Sequence, residues 1–223
     1  MDAKYKVVIF DFDGTLVDTL ADIAAAMNHA LSAHGFPVLR AEEYRDKLGW
    51  GVFRLATLAM PESARTDENS RKLGNHALRF LEELPAEKTL SKPYPGIREL
   101  LKELKARKTL LAVLSNKSNS LLQQLTHDFF SPLEFDAVCG LRLGVAPKPD
   151  PAAVWEILAD MGASPHEAIF AGDSEVDMET ARSAGCYPLG VSWGFRSRDI
   201  LAKAGAARII DKPEDLWGVV GRR

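Results

Sequence analysis

The sequence predicts a doubly wound α/β fold: a Rossmann-like core domain built on a parallel sheet, with an inserted all-helical cap domain. Two observations support this prediction. Short apolar runs alternate with longer helical patterns, which is typical of a sheet with helices on both faces. In contrast, residues 18–87 show helical patterns and no convincing strand. The predicted strands are residues 6–12, 110–114, 137–139, 168–171, 187–191 and 208–210.

Apolar spacing indicates the helical insertion. Residues 18–34 place Leu20, Ile23 and Met27 on one stripe of a helix, and residues 70–84 carry a similar stripe. The insertion is too long for a simple crossover between neighbouring parallel strands. We therefore expect a core domain of residues 1–17 and 88–223 and a cap domain of residues 18–87.

The composition is that of an ordinary soluble protein and excludes several classes of partner. The 223 residues are 46% hydrophobic and 26% charged, with a formal net charge of -3. No basic block indicates nucleic-acid binding. No apolar run approaches the ~20 residues of a membrane span, and no targeting segment is visible. Cys139 and Cys186 match no metal or redox spacing. We expect a cytoplasmic protein that is a monomer or a homodimer.

Asp11 and Asp13 form the strongest chemical signal, in the segment Asp-Phe-Asp-Gly-Thr after the first apolar run. Alternate residues of a strand point the same way, so both carboxylates would face one side. Two buried carboxylates repel each other unless a cation neutralises them. Ligands bind to open α/β sheets at this end of the strands. The alternative interpretation is an acidic loop that caps a helix.

A second acidic segment reads Gly-Asp-Ser-Glu-Val-Asp and ends at Asp177. It places Asp173 after a predicted strand and Asp177 one helical turn later. Carboxylate oxygens suit a hard divalent cation, and Mg²⁺ is the one that we expect. The alternative is an ordinary helix start enriched in acids.

Two further segments supply groups that bind anions. Ser115 and Asn116, followed by Lys117, come after another apolar run, and Lys148 lies between two prolines. A hydroxyl near a helix start and a constrained lysine both suit phosphate. Taken alone, each is more simply a helix cap or a surface lysine. Together with the two acidic segments, they complete the set of groups needed for phosphoryl transfer through an aspartyl-phosphate.

These four segments resemble, in order, the four motifs of the haloacid dehalogenase superfamily of phosphatases. The matching sequences are DFDGTLVDT at residues 11–19, SN at 115–116, KPDP at 148–151 and GDSEVD at 172–177. The resemblance covers essentially the whole chain, and the helical insertion lies at the position of a type 1 cap.

The resemblance implies a role for each matching residue. Asp11 is expected to be the nucleophile and a magnesium ligand, and Asp13 the general acid and base, with its main-chain carbonyl on the metal. Asp173 is expected to be the third metal ligand, with Asp177 behind it. Ser115 and Asn116 are expected to bind the transferring phosphoryl group, and Lys148 to neutralise the charge of that group and of Asp11.

Asp13 also narrows the expected activity, because dehalogenases and ion pumps of this superfamily lack an acid there. The hinge residues Asp18 and Thr19 and the cap segment at 49–51 resemble the group of phosphoglycolate phosphatases and pyrophosphatases. The first expectation is therefore a phosphatase for a small phosphorylated substrate, with 2-phosphoglycolate as the first guess. Inorganic pyrophosphatase, sugar phosphomutase and a non-catalytic phosphate-binding protein are the alternatives. In the cap, Arg45 and Arg54 are candidates to bind a substrate carboxylate.

Overall fold

The computed structural model of the chain describes residues 5–221. Each of the six predicted strands is found at its predicted place, with ends that differ by a few residues. Two further strands of two residues each lie where the chain passes into and out of the helical insertion. The strands are β1 (Val7–Phe10), β2 (Val17–Asp18), β3 (Lys92–Pro93), β4 (Leu110–Ser118), β5 (Ala137–Leu141), β6 (Ala168–Gly172), β7 (Tyr187–Val191) and β8 (Arg208–Ile210).

The six long strands form one parallel sheet in the order β5-β4-β1-β6-β7-β8, and β2 and β3 form a separate two-stranded sheet. The first strand is central, because Val7 pairs with Leu110 of β4 on one side and with Ala168 of β6 on the other. The chain therefore builds one half of the sheet outward from β1 and then returns to build the other half. This order is that of a doubly wound sheet, so the predicted fold class is confirmed.

Helices follow the strands of the sheet and fill the insertion between β2 and β3. Short 3₁₀ turns at residues 41–47, 62–64, 86–88, 165–167 and 213–216 complete the connections. The α-helices are α1 (Leu20–Ala33), α2 (Val52–Ala59), α3 (Asp67–Glu82), α4 (Ile97–Ala106), α5 (Asn119–Phe130), α6 (Ala152–Asp160), α7 (Glu175–Ala184), α8 (Arg198–Lys203) and α9 (Trp217–Val220).

The central strand shows why the apolar runs are continuous. Val8 and Phe10 belong to a core that includes α4 and α5. Their neighbours Val7 and Ile9 belong to a second core that includes α6 and α7. Because side chains of a strand alternate between faces, both faces of β1 must be apolar when helices cover both.

The fourth strand extends further than the sequence indicated. Residues 110–114 were expected, but β4 continues to Ser118, and its pairing with β5 is irregular between Leu114 and Ser118. Pairing resumes where Ser118 meets Leu141. Residues 115–117 therefore lie in an interruption of the ladder at the end of the strand, where bulged backbone often redirects side chains towards a site.

The chain divides into two compact units: a helical unit of residues 18–92, and a second unit of the residues on either side. The sequence had placed the second boundary after residue 87. Asp22 of α1 explains why residues 89–91 belong to the helical unit. Its carboxylate accepts hydrogen bonds from the Thr89 hydroxyl and from the N–H groups of Leu90 and Ser91. Within the described residues, we find no helix whose length and hydropathy would allow it to span a bilayer.

Candidate active site

Two neighbouring strands of the sheet bring Asp11 and Asp173 together. Asp11 directly follows β1, and its N–H donates to the carbonyl of Ala171 in β6 at 2.9 Å. Asp173 directly follows β6. Because the two strands are parallel, their carboxyl ends meet at one edge of the sheet, next to the point where the strand order reverses. Both side chains are buried there, as 4% of Asp11 and 1% of Asp173 is exposed.

A third carboxylate joins this pair. Asp11, Asp173 and Asp177 each offer one carboxylate oxygen, and these oxygens lie within 4.8 Å of one another. Asp177 comes from the first turn of α7. The segment between the end of β6 and this turn therefore supplies two of the three carboxylates, those of Asp173 and Asp177. The structure therefore gathers two of the predicted metal ligands and Asp177 in one buried cluster.

Lys148 provides the positive charge of the cluster. Its Nζ lies 2.9 Å from Oδ1 of Asp11 and 2.6 Å from Oδ1 of Asp177. Burial alone would lower the pKa of Lys148, but the charges of Asp11 and Asp177 outweigh burial and raise it. The ammonium group is thus held in its charged form between the two carboxylates.

Asn116 positions Lys148 through its main chain. The N–H of Lys148 donates to Oδ1 of Asn116 at 2.9 Å, and Nδ2 of Asn116 donates to the carbonyl of Lys148 at 3.0 Å. This two-way contact joins the end of β4 to the proline-rich loop. The side-chain amide of Asn116 therefore positions the main chain of Lys148, and the phosphate contact expected from the sequence stays a prediction.

Asp177 is engaged through both of its oxygens. Besides the contact with Lys148, its Oδ2 accepts hydrogen bonds from the N–H of Ser174 at 3.0 Å and from the Ser174 hydroxyl at 2.6 Å. The Ser174 hydroxyl and the Asp177 carboxylate form a capping box at the start of α7. This arrangement suits a group that orients its neighbours rather than one that binds a metal directly.

Asp173 is fixed by a loop that follows β7. Its Oδ2 accepts a hydrogen bond of 2.6 Å from the N–H of Phe195, and its Oδ1 one of 3.4 Å from the Thr15 hydroxyl. In the same loop, Nε1 of Trp193 donates to the carbonyl of Thr15 at 3.0 Å. Trp193 therefore braces the loop that carries Asp11 and Asp13, while Phe195 holds Asp173 through its main-chain N–H.

Two glycines allow the carboxylates to approach this closely. Gly14 has φ +83°, and a Cβ there would lie 2.3 Å from Oδ2 of Asp173. A Cβ on Gly172 would lie 2.2 Å from the Cβ of Asp177. Neither distance is sterically possible, so any larger residue would displace a carboxylate of the site.

The sequence did not assign a role to Lys117, which contacts the second aspartate of the first motif. Its Nζ lies 3.2 Å from Oδ1 of Asp13, and its side chain is only 7% exposed. Lys117 lies in the irregular end of β4, two residues after Ser115. The available signal was its position directly after Ser115 and Asn116, at the end of the same apolar run. Ser115 itself is buried, and its hydroxyl oxygen accepts a hydrogen bond from the N–H of Lys117 at 3.3 Å.

Arg196 is a second cation that the motifs do not include. It is buried and forms a two-pronged ion pair with Glu175, in which Nε and Oε2 are 2.8 Å apart and Nη2 and Oε1 are 3.3 Å apart. Its charge lowers the pKa of Asp173, though less than burial and the neighbouring carboxylates raise it. Arg196 therefore moderates the electrostatic repulsion within the cluster.

The electrostatics of the cluster indicate that a divalent cation fits it. Burial first, and then the Asp177 carboxylate, raise the pKa of Asp11 to about 7, against the opposing effect of Lys148. Burial, Asp177 and Asp11 likewise raise the pKa of Asp173 well above its usual value. If all three carboxylates are ionised, as metal binding requires, they and the Lys148 ammonium group carry two net negative charges in a buried space. One divalent cation with oxygen ligands would neutralise that charge.

The chain is similar to known proteins along almost its whole length. The profile of the family described as "Haloacid dehalogenase-like hydrolase" matches residues 8–191. The phosphoglycolate phosphatase of Mannheimia succiniciproducens is 30% identical over 227 residues, which are 99% of this chain and 100% of that protein. The phosphoglycolate phosphatase of Vibrio cholerae is 31% identical over 219 residues, with 96% of each chain covered.

A solved structure agrees with these relatives. The crystal structure of a candidate phosphoglycolate phosphatase from Lactobacillus delbrueckii subsp. bulgaricus has a TM-score of 0.90 at 31% identity. The similarity covers 98% of this chain and 100% of that one. The resemblance read from the four motifs is thereby confirmed, as is the expectation of an enzyme. The chain therefore belongs to the haloacid dehalogenase-like hydrolase family, as an enzyme of the phosphoric monoester hydrolase class.

Proposed function

We propose that this enzyme is a Mg²⁺-dependent phosphatase that hydrolyses a small phosphorylated metabolite, with 2-phosphoglycolate as the leading candidate. The reaction proceeds through a phosphoryl group carried on Asp11. The observation that supports the proposal most strongly is the placement of Lys148, whose ammonium group contacts Asp11 and Asp177 within a buried cluster of three carboxylates.

Asp11 is suited to be the nucleophile. Its Oδ1 accepts hydrogen bonds from the N–H of Phe12 at 2.7 Å and from Lys148. Its Oδ2 accepts no hydrogen bond from the described residues, so one oxygen is fixed while the other can attack phosphorus in line. Lys148 favours the ionised carboxylate and reduces its repulsion from the phosphate dianion.

The carboxylates of Asp11 and Asp173 and the main-chain carbonyl of Asp13 would hold the Mg²⁺ ion. When bound, the ion neutralises charge on the phosphoryl oxygens and orients them for displacement. Asp177 orients Lys148 and the start of α7 without contributing a ligand. The Ser115 hydroxyl, at the end of β4, would donate a hydrogen bond to a phosphoryl oxygen.

Asp13 would move the proton in both halves of the reaction. In the first half, an Asp11 oxygen bonds to phosphorus, the ester P–O bond breaks, and protonated Asp13 gives its proton to the leaving oxygen. In the second half, ionised Asp13 takes a proton from water while the water oxygen bonds to phosphorus and Asp11 is released. The products are an alcohol and inorganic phosphate, and Asp13 ends protonated as it began.

The choice of 2-phosphoglycolate is supported by the names of the relatives, since those from Mannheimia succiniciproducens and Vibrio cholerae are both phosphoglycolate phosphatases. Those proteins match this chain along nearly its whole length, insertion included.

The test is a phosphate-release assay on 2-phosphoglycolate, pyrophosphate and glucose 1-phosphate, each with Mg²⁺ and with EDTA. We expect release of phosphate from 2-phosphoglycolate with the highest kcat/KM, and no release in EDTA. Preference for pyrophosphate would make the enzyme a pyrophosphatase, and isomerisation of the sugar phosphate without release would make it a mutase. Binding of all three without turnover would overturn the catalytic proposal.

A further inference from the structure

Three of the five histidines of the chain lie together in the unit formed by residues 18–92. His29 lies on α1, His34 directly follows α1, and His76 lies on α3. The rings of His29 and His76 meet edge to face with their centres 5.0 Å apart, and those of His34 and His76 are 5.5 Å apart. None of the three has a part in the proposed reaction.

The distance between two ring nitrogens is the notable feature of this cluster. Nε2 of His34 and Nδ1 of His76 are 3.4 Å apart. Hydrogen bonds with nitrogen donors in proteins are usually about 2.9–3.0 Å long, so this contact is long for one. Two imidazole ligands on a tetrahedral Zn²⁺ ion, with Zn–N bonds of about 2.0–2.1 Å, have their nitrogens about 3.3–3.4 Å apart. The observed distance matches that geometry.

The exposure of both rings and the lowered pKa of His76 also suit a metal ion. His34 is exposed and His76 half-buried, so an ion from solution can reach both. Desolvation, followed by the other two histidines and Arg79, lowers the pKa of His76. A neutral imidazole keeps one nitrogen lone pair for a metal. Imidazole nitrogen favours Zn²⁺, Ni²⁺ and Cu²⁺, whereas Mg²⁺ favours oxygen.

We propose that His34 and His76 form a binding site for a Zn²⁺-like transition-metal ion, distinct in its chemistry from the carboxylate cluster. The two ring nitrogens are the protein ligands, and water completes the coordination. His29 packs against the His76 ring and holds it in place without binding the ion. A bound ion would join the end of α1 to the middle of α3 and stabilise the helical unit.

The test is isothermal titration of the full chain with Zn²⁺ in excess Mg²⁺; any Zn²⁺ that replaces Mg²⁺ in the carboxylate cluster is common to all the histidine variants, so the part of the binding that depends on the histidines is compared. We expect one Zn²⁺ per chain at the new site. Affinity should fall on the order of a hundredfold in His34→Gln and in His76→Gln, because chelation by two ligands becomes binding by one. His29→Phe keeps the ring packing and should keep Zn²⁺ binding, as should the surface control His127→Gln.

Two outcomes would overturn the proposal. One is Zn²⁺ binding that is unchanged in both His34→Gln and His76→Gln, or no binding at all, which would leave the 3.4 Å contact as a hydrogen bond between rings. The other is loss of binding in His29→Phe, which would contradict the assignment of two ligands. Circular dichroism of each variant without Zn²⁺ checks that the helices remain folded, since His34 is exposed and its replacement leaves no core cavity.

Discussion

Lys148 and Asp177 form a buried ion pair: Nζ and Oδ1 are 2.6 Å apart, and 3% and 0% of the two side chains is exposed. This contact is shorter than the 2.9 Å between Lys148 and the proposed nucleophile Asp11. A carboxylate in the first turn of α7 therefore sets where the ammonium group lies. We therefore expect Asp177 to act on the reaction by positioning Lys148, without touching the substrate.

Replacing Asp177 by Asn should lower kcat by about 10- to 100-fold, the usual cost of losing a group that orients a metal-site residue. The amide keeps the shape of the side chain but cannot hold Lys148 by charge. Steady-state kinetics with 2-phosphoglycolate at saturating Mg²⁺ measure the loss. The exposed aspartate of α5, in Asp128→Asn, is the matched control. Wild-type kcat in Asp177→Asn would contradict the positioning role.

Lys117 should matter most for substrates with poor leaving groups. In the proposed reaction Asp13 exchanges protons with the leaving oxygen and with water, and the ammonium group of Lys117, 3.2 Å from Oδ1 of Asp13, orients that carboxyl group. In Lys117→Met we expect kcat to fall about tenfold or more, part of the 10²–10⁴-fold contribution of general acid–base catalysis. The measurement is kcat/KM for aryl phosphates of decreasing leaving-group pKa. The loss of kcat/KM in Lys117→Met should become smaller as the leaving-group pKa falls, and Lys117→Arg should restore part of it. An equal loss of kcat/KM for every ester would rule out this role.

Gly14 should tolerate no side chain, because a Cβ there would overlap a carboxylate oxygen of Asp173. Gly14→Ala should therefore raise the Mg²⁺ concentration for half-maximal activity by at least about tenfold. Gly162 is the matched control: its φ is also positive, at +62°, but a Cβ there meets nothing within 4 Å. Gly162→Ala should cost about 1–2 kcal/mol of stability for the left-handed backbone and leave the Mg²⁺ requirement unchanged. Equal Mg²⁺ requirements in both variants would contradict a steric cause.

The hydrogen bonds that the Asp22 carboxylate accepts should make the free energy of unfolding depend on pH. Burial alone would raise the pKa of Asp22, but hydrogen bonds from Ser91, Thr89 and the N–H of Leu90 outweigh burial and lower it. A carboxyl group whose pKa is lower in the folded chain stabilises the fold fully above its unfolded pKa of about 3.9. That stabilisation is lost as the pH falls through the lower, folded value.

We therefore expect Asp22→Asn to lose about 1.5–3 kcal/mol of stability at pH 7, the usual worth of hydrogen bonds to a charged group. The difference in unfolding free energy between Asp22→Asn and the wild type should become smaller below about pH 4. Urea denaturation at pH values from about 3 to about 8 measures the free energy of unfolding of both proteins. The exposed control Asp46→Asn should follow the wild type at every pH. If the difference in unfolding free energy stayed constant down to the lowest pH, the charge of Asp22 would not be the cause of the stabilisation.

The sequence was sufficient for the parts of the site that follow from strand ends. Asp11 and Asp173 each come directly after a continuously apolar run, and parallel strands bring such positions to one edge. The contact of Asn116 with the main chain of Lys148 could not be predicted in this way. Those residues are 32 positions apart, and their contact depends on the path of a loop rather than on a local pattern.

Tertiary contacts also explain two other differences between the structure expected from the sequence and the observed one. The extension of β4 to Ser118 depends on where its partner β5 resumes pairing, which no property of residues 115–118 reveals. The later boundary of the helical unit depends on Asp22, which binds residues up to 69 positions away. Local sequence predicts helices, strands and their ends. The β-bulge, the long-range hydrogen bonds of Asp22 and the buried ion pairs arise from tertiary contacts.

The most direct test of the account is to identify the residue that carries the phosphoryl group. In Asp13→Ala, an aryl phosphate with a good leaving group should still phosphorylate the enzyme, while hydrolysis of the phosphoenzyme stalls. Acid quenching, borohydride reduction and peptide mass spectrometry then locate the modified residue, because reduction converts an aspartyl phosphate to homoserine. We predict homoserine at position 11 in the presence of Mg²⁺, and none when Asp11 is replaced by Asn. Modification of any other residue, or steady phosphate release by Asp11→Asn, would contradict Asp11 as the nucleophile.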